Sequence, residues 1–570
     1  MKKITIAIIA LLGLYSCTED FITKEPLGVA SSATYYKDPD QCQLAVNAIY
    51  DPLGWFEFHD EYLWKIGDIC SDDCERGGAN SFDQYTMGDD WDKSGQLCVF
   101  QATDRSTIMA GIWDAGYIAI GRANAMLAGT EGVNDASIKT MRAEVTFLRA
   151  WYYFQLTKVF GPVILTKSTV SVASAEDLGN RADNDDAVGS KQVRAQYDFI
   201  ISELESIIDE LPVTANAFGK ITKGAAQAFL AKAYLYRADF CNNSADYQKA
   251  YDVATAIISS GTYALEEHYQ DLFDIFGETH EQSKEVILSV QHIAGTQYGR
   301  DGDGSIIPLY VAPRYLWDAK AKKSQIEDGL GYGFAIPTQN LMDEFEAGDP
   351  RASLIVATPH GDATIDATIT KLNLDTAVWA IPPKTGDKTE GWYAIGKEKW
   401  STGYYNMKKS QVSPIVQEGK SQVNGKDNII LRYGDVLLIA AEAATHINKE
   451  AEAAGYLNEL RHRANNSART IDYTQNGMTS ACYTYTPSTV LADLSSADLD
   501  AVKHERRVEM YGEAERYWDL IRWGDTDKFR KEDIAGYPIE YNVNTLGRWP
   551  IPQDQIILHT GGNLKQNPEY

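Results

Sequence analysis

The chain has 570 residues, with 53 Lys and Arg against 80 Asp and Glu, and a formal net charge of −27. Nucleic-acid affinity rests on basic side chains that displace phosphate counterions, so an acid excess of this size excludes polyanion binding by general charge. Hydrophobic residues at 44% and charged residues at 23% describe a globular chain able to build a core, not a disordered one.

The N-terminus reads Met1-Lys2-Lys3, an apolar run from Ile4 to Leu14, then Tyr15-Ser16-Cys17. A positive start, a short apolar stretch and a small residue before a cleavage point predict a secretory signal peptide over residues 1–16, because a membrane-spanning helix needs about 20 apolar residues. The sequence Leu14-Tyr15-Ser16-Cys17 resembles the lipobox of bacterial lipoproteins, which makes Cys17 the expected lipidation site and residues 17–27 a tether. Cleavage removes two lysines and no acid, leaving 51 cations against 80 acids, or −29. The other cysteines are Cys42, Cys70, Cys74, Cys98, Cys241 and Cys482; Cys70 and Cys74 are spaced C-x-x-x-C, not the C-x-x-C of redox and zinc sites. They read as structural or free thiols, with no metal and no cofactor.

Helical periodicity runs from Ser137 to Phe160, where Met141, Val145, Leu148, Tyr152 and Val159 share a face and Gly161-Pro162 stops the helix. Two further segments, Lys223 to Asp239 and Asp246 to Ser260, form a helical hairpin, and small Ala231 and Ala233 beside Leu230 and Tyr234 suit close helix approach. Residues 266–426 differ: they are rich in Gly, Pro, Asp and Thr, with short apolar runs such as Val286 to Val290, and read as loops and small strands inserted in a helical frame. Helical pattern returns with the stripe Val436, Leu437, Ala440, Ala441, Ala444 and the return helix Ala451 to Ala464. One last long helix is expected from about Ala497 to Trp523.

Catalytic patterns are near misses. His504-Glu505-Arg506-Arg507 begins like H-E-x-x-H but has Val508 in place of the second ligand, and Gly419-Lys420-Ser421 lacks the leading glycine of a phosphate loop. Asp301-Gly302-Asp303-Gly304-Ser305 starts like a calcium loop, yet Ile306 replaces the sharp-turn Gly and Ala312 the bidentate Glu. Carboxylate pairs of a glycoside hydrolase come from distant parts of a chain and escape such a scan.

The segment Glu505-Arg506-Arg507-Val508-Glu509-Met510, continuing through Glu513 and Arg516-Tyr517-Trp518-Asp519-Leu520-Ile521-Arg522-Trp523-Gly524, resembles the E-R-R and R-[WY]-x-D-L-x-R-W-G signatures of the SusD/RagB family. Its acids recur at helical spacing and so call for cationic partners, which predicts a structural ion-pair network. Further matches follow in the family's order: Trp113, Tyr117, Ile120 and Asn124; Leu148-Arg149-Ala150 with Phe160-Gly161-Pro162; Leu431-Arg432-Tyr433-Gly434-Asp435 with Ala441-Glu442-Ala443; and the closing Pro550-Ile551-Pro552 and Gln566-Asn567-Pro568-Glu569-Tyr570. Gly434 stands where many members carry Ala.

The resemblance implies a mainly α fold over residues 28–570: tetratricopeptide-like helical pairs as a scaffold, with long irregular insertions and short strands. It also implies a cell-surface lipoprotein, held at the outer membrane by its lipid, that binds a glycan or oligosaccharide and delivers it to a SusC-type TonB-dependent transporter without cleaving it. A peptide-binding lid and a surface glycoside hydrolase are the alternatives. Since members carry ligands on irregular segments, two stretches are candidates: Asp68 to Trp91, with Asp72, Asp73, Asn80, Tyr85 and Trp91, and Tyr298 to Trp317, with Tyr298, Arg300, Tyr310, Arg314 and Trp317. Both mix aromatic faces, which stack on sugar C–H faces, with groups that hydrogen-bond hydroxyls.

Overall fold

The computed structural model of the chain describes residues 35–77, 94–167, 191–273, 283–293, 300, 302–311, 317–318, 323–324, 333–357, 363–374, 403–406, 408, 425–467, 469–472, 482–485, 490–529, 531–532, 538–539, 541–559 and 564–570. The leader, Cys17 and the tether lie outside them.

The frame is made of helices that start and stop at local signals. These are α1 (Pro39–Tyr50), α2 (Tyr62–Ile69), α3 (Thr107–Gly129), α4 (Ala136–Phe160), α5 (Lys191–Glu205), α6 (Lys223–Phe240) and α7 (Ala245–Ser260). Side chains of Ser106, Asp135 and Thr222 accept from the first free backbone N–H groups of α3, α4 and α6, satisfying donors that a helix leaves open. After the long excursion of residues 261–432 come α8 (Tyr433–His446), α9 (Glu450–Asn465), α10 (Leu499–Met510) and α11 (Arg516–Trp523).

From α3 to α9 each of these helices packs on the next, and α8 takes its place directly on α7, so the array continues across the excursion as if it were absent. One core runs through the stack, with Phe147, Tyr152, Phe154, Phe229, Leu437 and Leu457 buried in it. The chain thus adopts the mainly α, tetratricopeptide-like architecture that the sequence leads one to expect.

The strands among the described residues form two-stranded ribbons. β1 (Cys74–Gly77) pairs antiparallel with β3 (Phe334–Pro337), and β2 (Val286–Val290) with β4 (Asn428–Arg432), so Val286 faces Arg432 and Val290 faces Asn428. All of β2 is buried, as its unbroken apolar run requires.

The expected single helix from Ala497 to Trp523 is instead two. Between α10 and α11 the chain turns through Gly512 and Ala514, both at positive φ, and the Ala514 N–H donates to Asp68 Oδ1 at 2.8 Å. That contact seats α11 against α2, and an unbroken helix could not make it.

The acids of α10 hold the frame from inside. Glu509 is fully buried and accepts from Arg432 on β4 (2.8 Å), from Arg463 on α9 and, at 3.5 Å, from Arg351. Burial alone would raise its pKa, but the arginine charges hold it well below the usual carboxylate range. Arg432 also donates to Glu285 (2.9 Å) and Glu513 (2.8 Å), while Arg461 reaches Glu505 at 2.9 Å. A second cluster joins Arg506 to Asp435 (2.6 Å) and Asp519 (2.7 Å), with Lys232 on Asp435 (3.2 Å) and Glu515 (2.8 Å). The charges are therefore a structural network. It also explains Gly434, since a Cβ there would lie 2.2 Å from Arg432 Nη1, displacing a guanidinium that three carboxylates hold.

His504, the first residue of the apparent zinc motif, belongs to this network too. Its ring bonds Glu344 (2.6 Å) and lies 3.6 Å from Glu346. Burial would lower its pKa, but those two acids outweigh it and raise the pKa to about 9.

Two outcomes follow. Glu509→Gln leaves buried arginines short of charge and is expected to cost about 3–5 kcal/mol, read as a lower denaturant midpoint. His504→Gln should destabilise the chain at pH 6, with the gap to wild type shrinking as pH passes 9, because a raised histidine pKa contributes below 6.5 and is lost above the folded value. A gap independent of pH would contradict the pairing.

Candidate functional site

Every residue of α2 is buried, so the chain leaving it is fixed from below. β1 follows and ends at Gly77, opposite Phe334 in the ribbon. Gly77 has φ +68, and a Cβ would sit 2.1 Å from the Gly333 carbonyl oxygen, so only glycine allows this approach. The short helix Ile307–Val311 lies alongside, with the Tyr310 ring 5.2 Å from Phe334 and 6.4 Å from Trp64, and the Lys65 ammonium 4.7 Å above Tyr310. Trp64, Ile69, Ile307, Tyr310 and Phe334 belong to one buried cluster distinct from the main core.

This cluster is a platform from which both candidate stretches depart. The chain enters residues 78–93 from Gly77 and residues 312–316 from Val311, and these two exits are neighbours across Phe334 and Tyr310. Trp317–Asp318 then pairs antiparallel with Lys323–Ser324.

The platform absorbs several residues expected to meet a ligand. Asp72 is 5% exposed and accepts from Arg516 at 2.7 and 2.9 Å, with Arg507 at 3.2 Å. Asp73, 1% exposed, accepts from Arg507 at 2.7 Å, and its carbonyl receives the Thr338 N–H. Ligand contact by Asp72 and Asp73 is accordingly set aside, since their carboxylates neutralise buried arginines. Tyr310, 1% exposed, is a wall of the platform and not an open stacking face. Arg300 stands apart: its guanidinium covers the Trp55 ring at 4.8 Å and its Nε donates to Glu57 at 2.8 Å. The side chain of Trp317, together with Asn80, Tyr85, Trp91, Tyr298 and Arg314, lies outside the described residues.

One cluster near the platform has no signal in the sequence. Asp60, fully buried just before α2, accepts from the Ser305 hydroxyl (2.5 Å), the Ile306 N–H (3.0 Å) and Asn428 (3.4 Å). These bonds pin the strand of chain that leads into Tyr310. Burial pushes the Asp60 carboxyl up to about 7 against those donors, and burial pushes the nearby His292 imidazole down to about 4. His292 Nε2 lies 3.8 Å from Asp60, while Ser305 bonds the carboxylate directly. Ser, His and Asp are thus together without the serine-to-histidine bond that nucleophile activation needs.

The mainly α array agrees with what the comparisons find. A family model described as the SusD family matches residues 284–570, and one described as starch-binding associating with outer membrane matches residues 71–235. The chain belongs to the SusD family. A SusD-like protein P2 of Formosa agariphila is 25% identical over 592 residues, covering 100% of both chains. A SusD-like protein of Bacteroides ovatus is 27% identical over 540 residues, 92% of this chain and 82% of that protein. Among solved structures, surface glycan-binding protein A from Bacteroides thetaiotaomicron in complex with laminarihexaose superposes with a TM-score of 0.67 at 23% identity, over 93% of this chain and 99% of that one. That likeness establishes a common fold.

The Asp60 site carries a pH signature. With a folded pKa of about 7 against 3.8, the native state holds the extra proton between these values, so this group's contribution is full below pH 3.8 and lost as pH rises through 7. Asp60→Asn should remove that slope: the stability of wild type minus variant falls from pH 4 to 7, measured by urea titration. A flat difference would contradict the burial of this carboxyl.

Proposed function

We propose that the chain is a surface lipoprotein that binds a neutral glycan and hands it, uncleaved, to a SusC-type TonB-dependent transporter. The observation that carries this reading is the common root of two aromatic and polar segments on one rigid platform, in a chain of the SusD family. Asn80, Tyr85, Trp91, Tyr298, Arg314 and Trp317 are the proposed contacts, while Asp72, Asp73 and Tyr310 hold the platform in shape.

Three things support it. A family model describes starch binding and association with the outer membrane, and a relative of the same fold is named for its complex with a laminarin oligosaccharide. The leader of residues 1–16, followed by Cys17, suits a lipid anchor, with residues 17–27 as tether and one body from residue 28 that carries the loop-rich insertion 266–426. The acid excess creates a field that disfavours anionic polymers, which points to an uncharged cargo.

Isothermal titration of the leader-free chain against starch, laminarin and a uronic-acid polymer tests the reading. Saturable binding to a neutral glycan is expected, weakened about tenfold or more, roughly 1.4 kcal/mol, by Trp91→Ala or Trp317→Ala, with no reducing ends released. Silence toward every polysaccharide, or affinity untouched in both variants, would sink it, and preference for the uronic polymer would overturn the choice of a neutral cargo.

A further inference from the structure

A cleft of about 290 Å³ lies between the end of α1, the loop before α6, the end of β2 with His292, and the chain at Gly302 and Asp303. Its volume is at the small end of ligand pockets, which run from about 300 to 1,000 Å³. Leu53 and Val290, both buried, give it an apolar floor, and the half-buried rings of Tyr50 and Phe218 line it.

The rim is held in place before any ligand arrives. Tyr50 donates its hydroxyl to Glu144 (3.0 Å) and receives the Ile221 N–H (3.0 Å), while the Lys220 ammonium sits 4.6 Å over its ring, so that ring cannot swing. Gln291 Nε2 donates to Ser289 (2.9 Å) and Asp427 (2.9 Å), which orients the amide and leaves its carbonyl oxygen as an acceptor. Asn47 Oδ1 accepts from Gln43 (2.9 Å) and Lys220 (3.4 Å), leaving its NH2 as a donor. A fixed amide donor and a fixed amide acceptor therefore flank an apolar floor with aromatic walls.

The charges around them have both signs. Asp51 pairs with Arg122 at 3.3 Å, Lys220 lies 3.8 Å from Glu144, and Asp303 completes the lining. An anion would meet Asp51 and Asp303, and a cation would meet Lys220. An uncharged ligand with an apolar face and several hydroxyls meets neither conflict.

We infer that this cleft is a second saccharide site, sized for about one or two sugar rings and separate from the platform. The inference rests on the glycan reading proposed above. Its wall at Asp303 and the platform's wall at Tyr310 belong to one short stretch, pinned midway where Ser305 and Ile306 bond Asp60. The two sites consequently share a chain segment without sharing contacts.

Titration of the leader-free chain with laminaribiose and with maltose, followed by isothermal calorimetry and by Trp and Tyr fluorescence, tests it. Two saccharides per chain are expected for at least one of these sugars. Phe218→Ala and Asn47→Ala should each weaken one binding event at least tenfold and leave the other unchanged, whereas Trp317→Ala should do the reverse; unchanged melting curves confirm folding. One saccharide per chain, lost with Trp317→Ala and indifferent to Phe218→Ala, overturns the cleft and keeps the platform. One saccharide per chain lost with Phe218→Ala alone supports the cleft and overturns the platform. No saccharide bound, or binding of a dipeptide in its place, overturns the inference.

Discussion

A charge taken out of water must find an opposite charge there, because the desolvation penalty of an isolated buried ion exceeds anything packing can return. In this chain that requirement governs how the parts join. Glu509 sits where strand β4, helix α9 and Arg351 converge, and each contributes one arginine to it. No single element could supply all three cations, so the elements must arrive in one arrangement for any to be neutralised. Aromatic packing fills the helical stack, but it is non-directional and would accept small slips. The guanidinium forks, each aimed at two or more carboxylates, do not accept them.

The same rule reaches the platform. Arg507 and Arg516 extend from the α10 and α11 segment to Asp73 and Asp72, which lie immediately before β1. The ribbon on which Phe334 and Tyr310 pack is thereby tied to the frame by charge, while its own apolar cluster stays distinct from the main core. The base of the ribbon, up to Gly77, is thereby fixed from the frame side.

Much of the frame is legible in the sequence because its signals are local. The stripe of Val145, Leu148 and Tyr152 with the Gly161-Pro162 stop locates a helix that runs from Ala136 to Phe160, and Gly261 ends another in the left-handed conformation. What stays hidden is decided by partners far along the chain. Gly512, at positive φ, is a local stop after Met510, but the direction the chain then takes answers the distant Asp68 carboxylate. Asp72 and Asp73 look like ligand acids in an aromatic loop until their arginines come into contact, and Tyr310 has the same composition whether it stacks on a sugar or on Phe334. Asp60 gave no sign at all, since Ser305 lies 245 residues away.

That separation has a consequence for the order of folding. Asp73 and Asp72 wait for cations 434 and 444 residues later, at Arg507 and Arg516. A chain that ends before α10 would hold Asp72 and Asp73 without Arg507 and Arg516, and would leave Arg432 and Arg463 with Glu285 but without Glu509. The ribbon and the helical frame are therefore joined by charge only once α10 and α11 are present, although the acids that receive them come near the start of the chain.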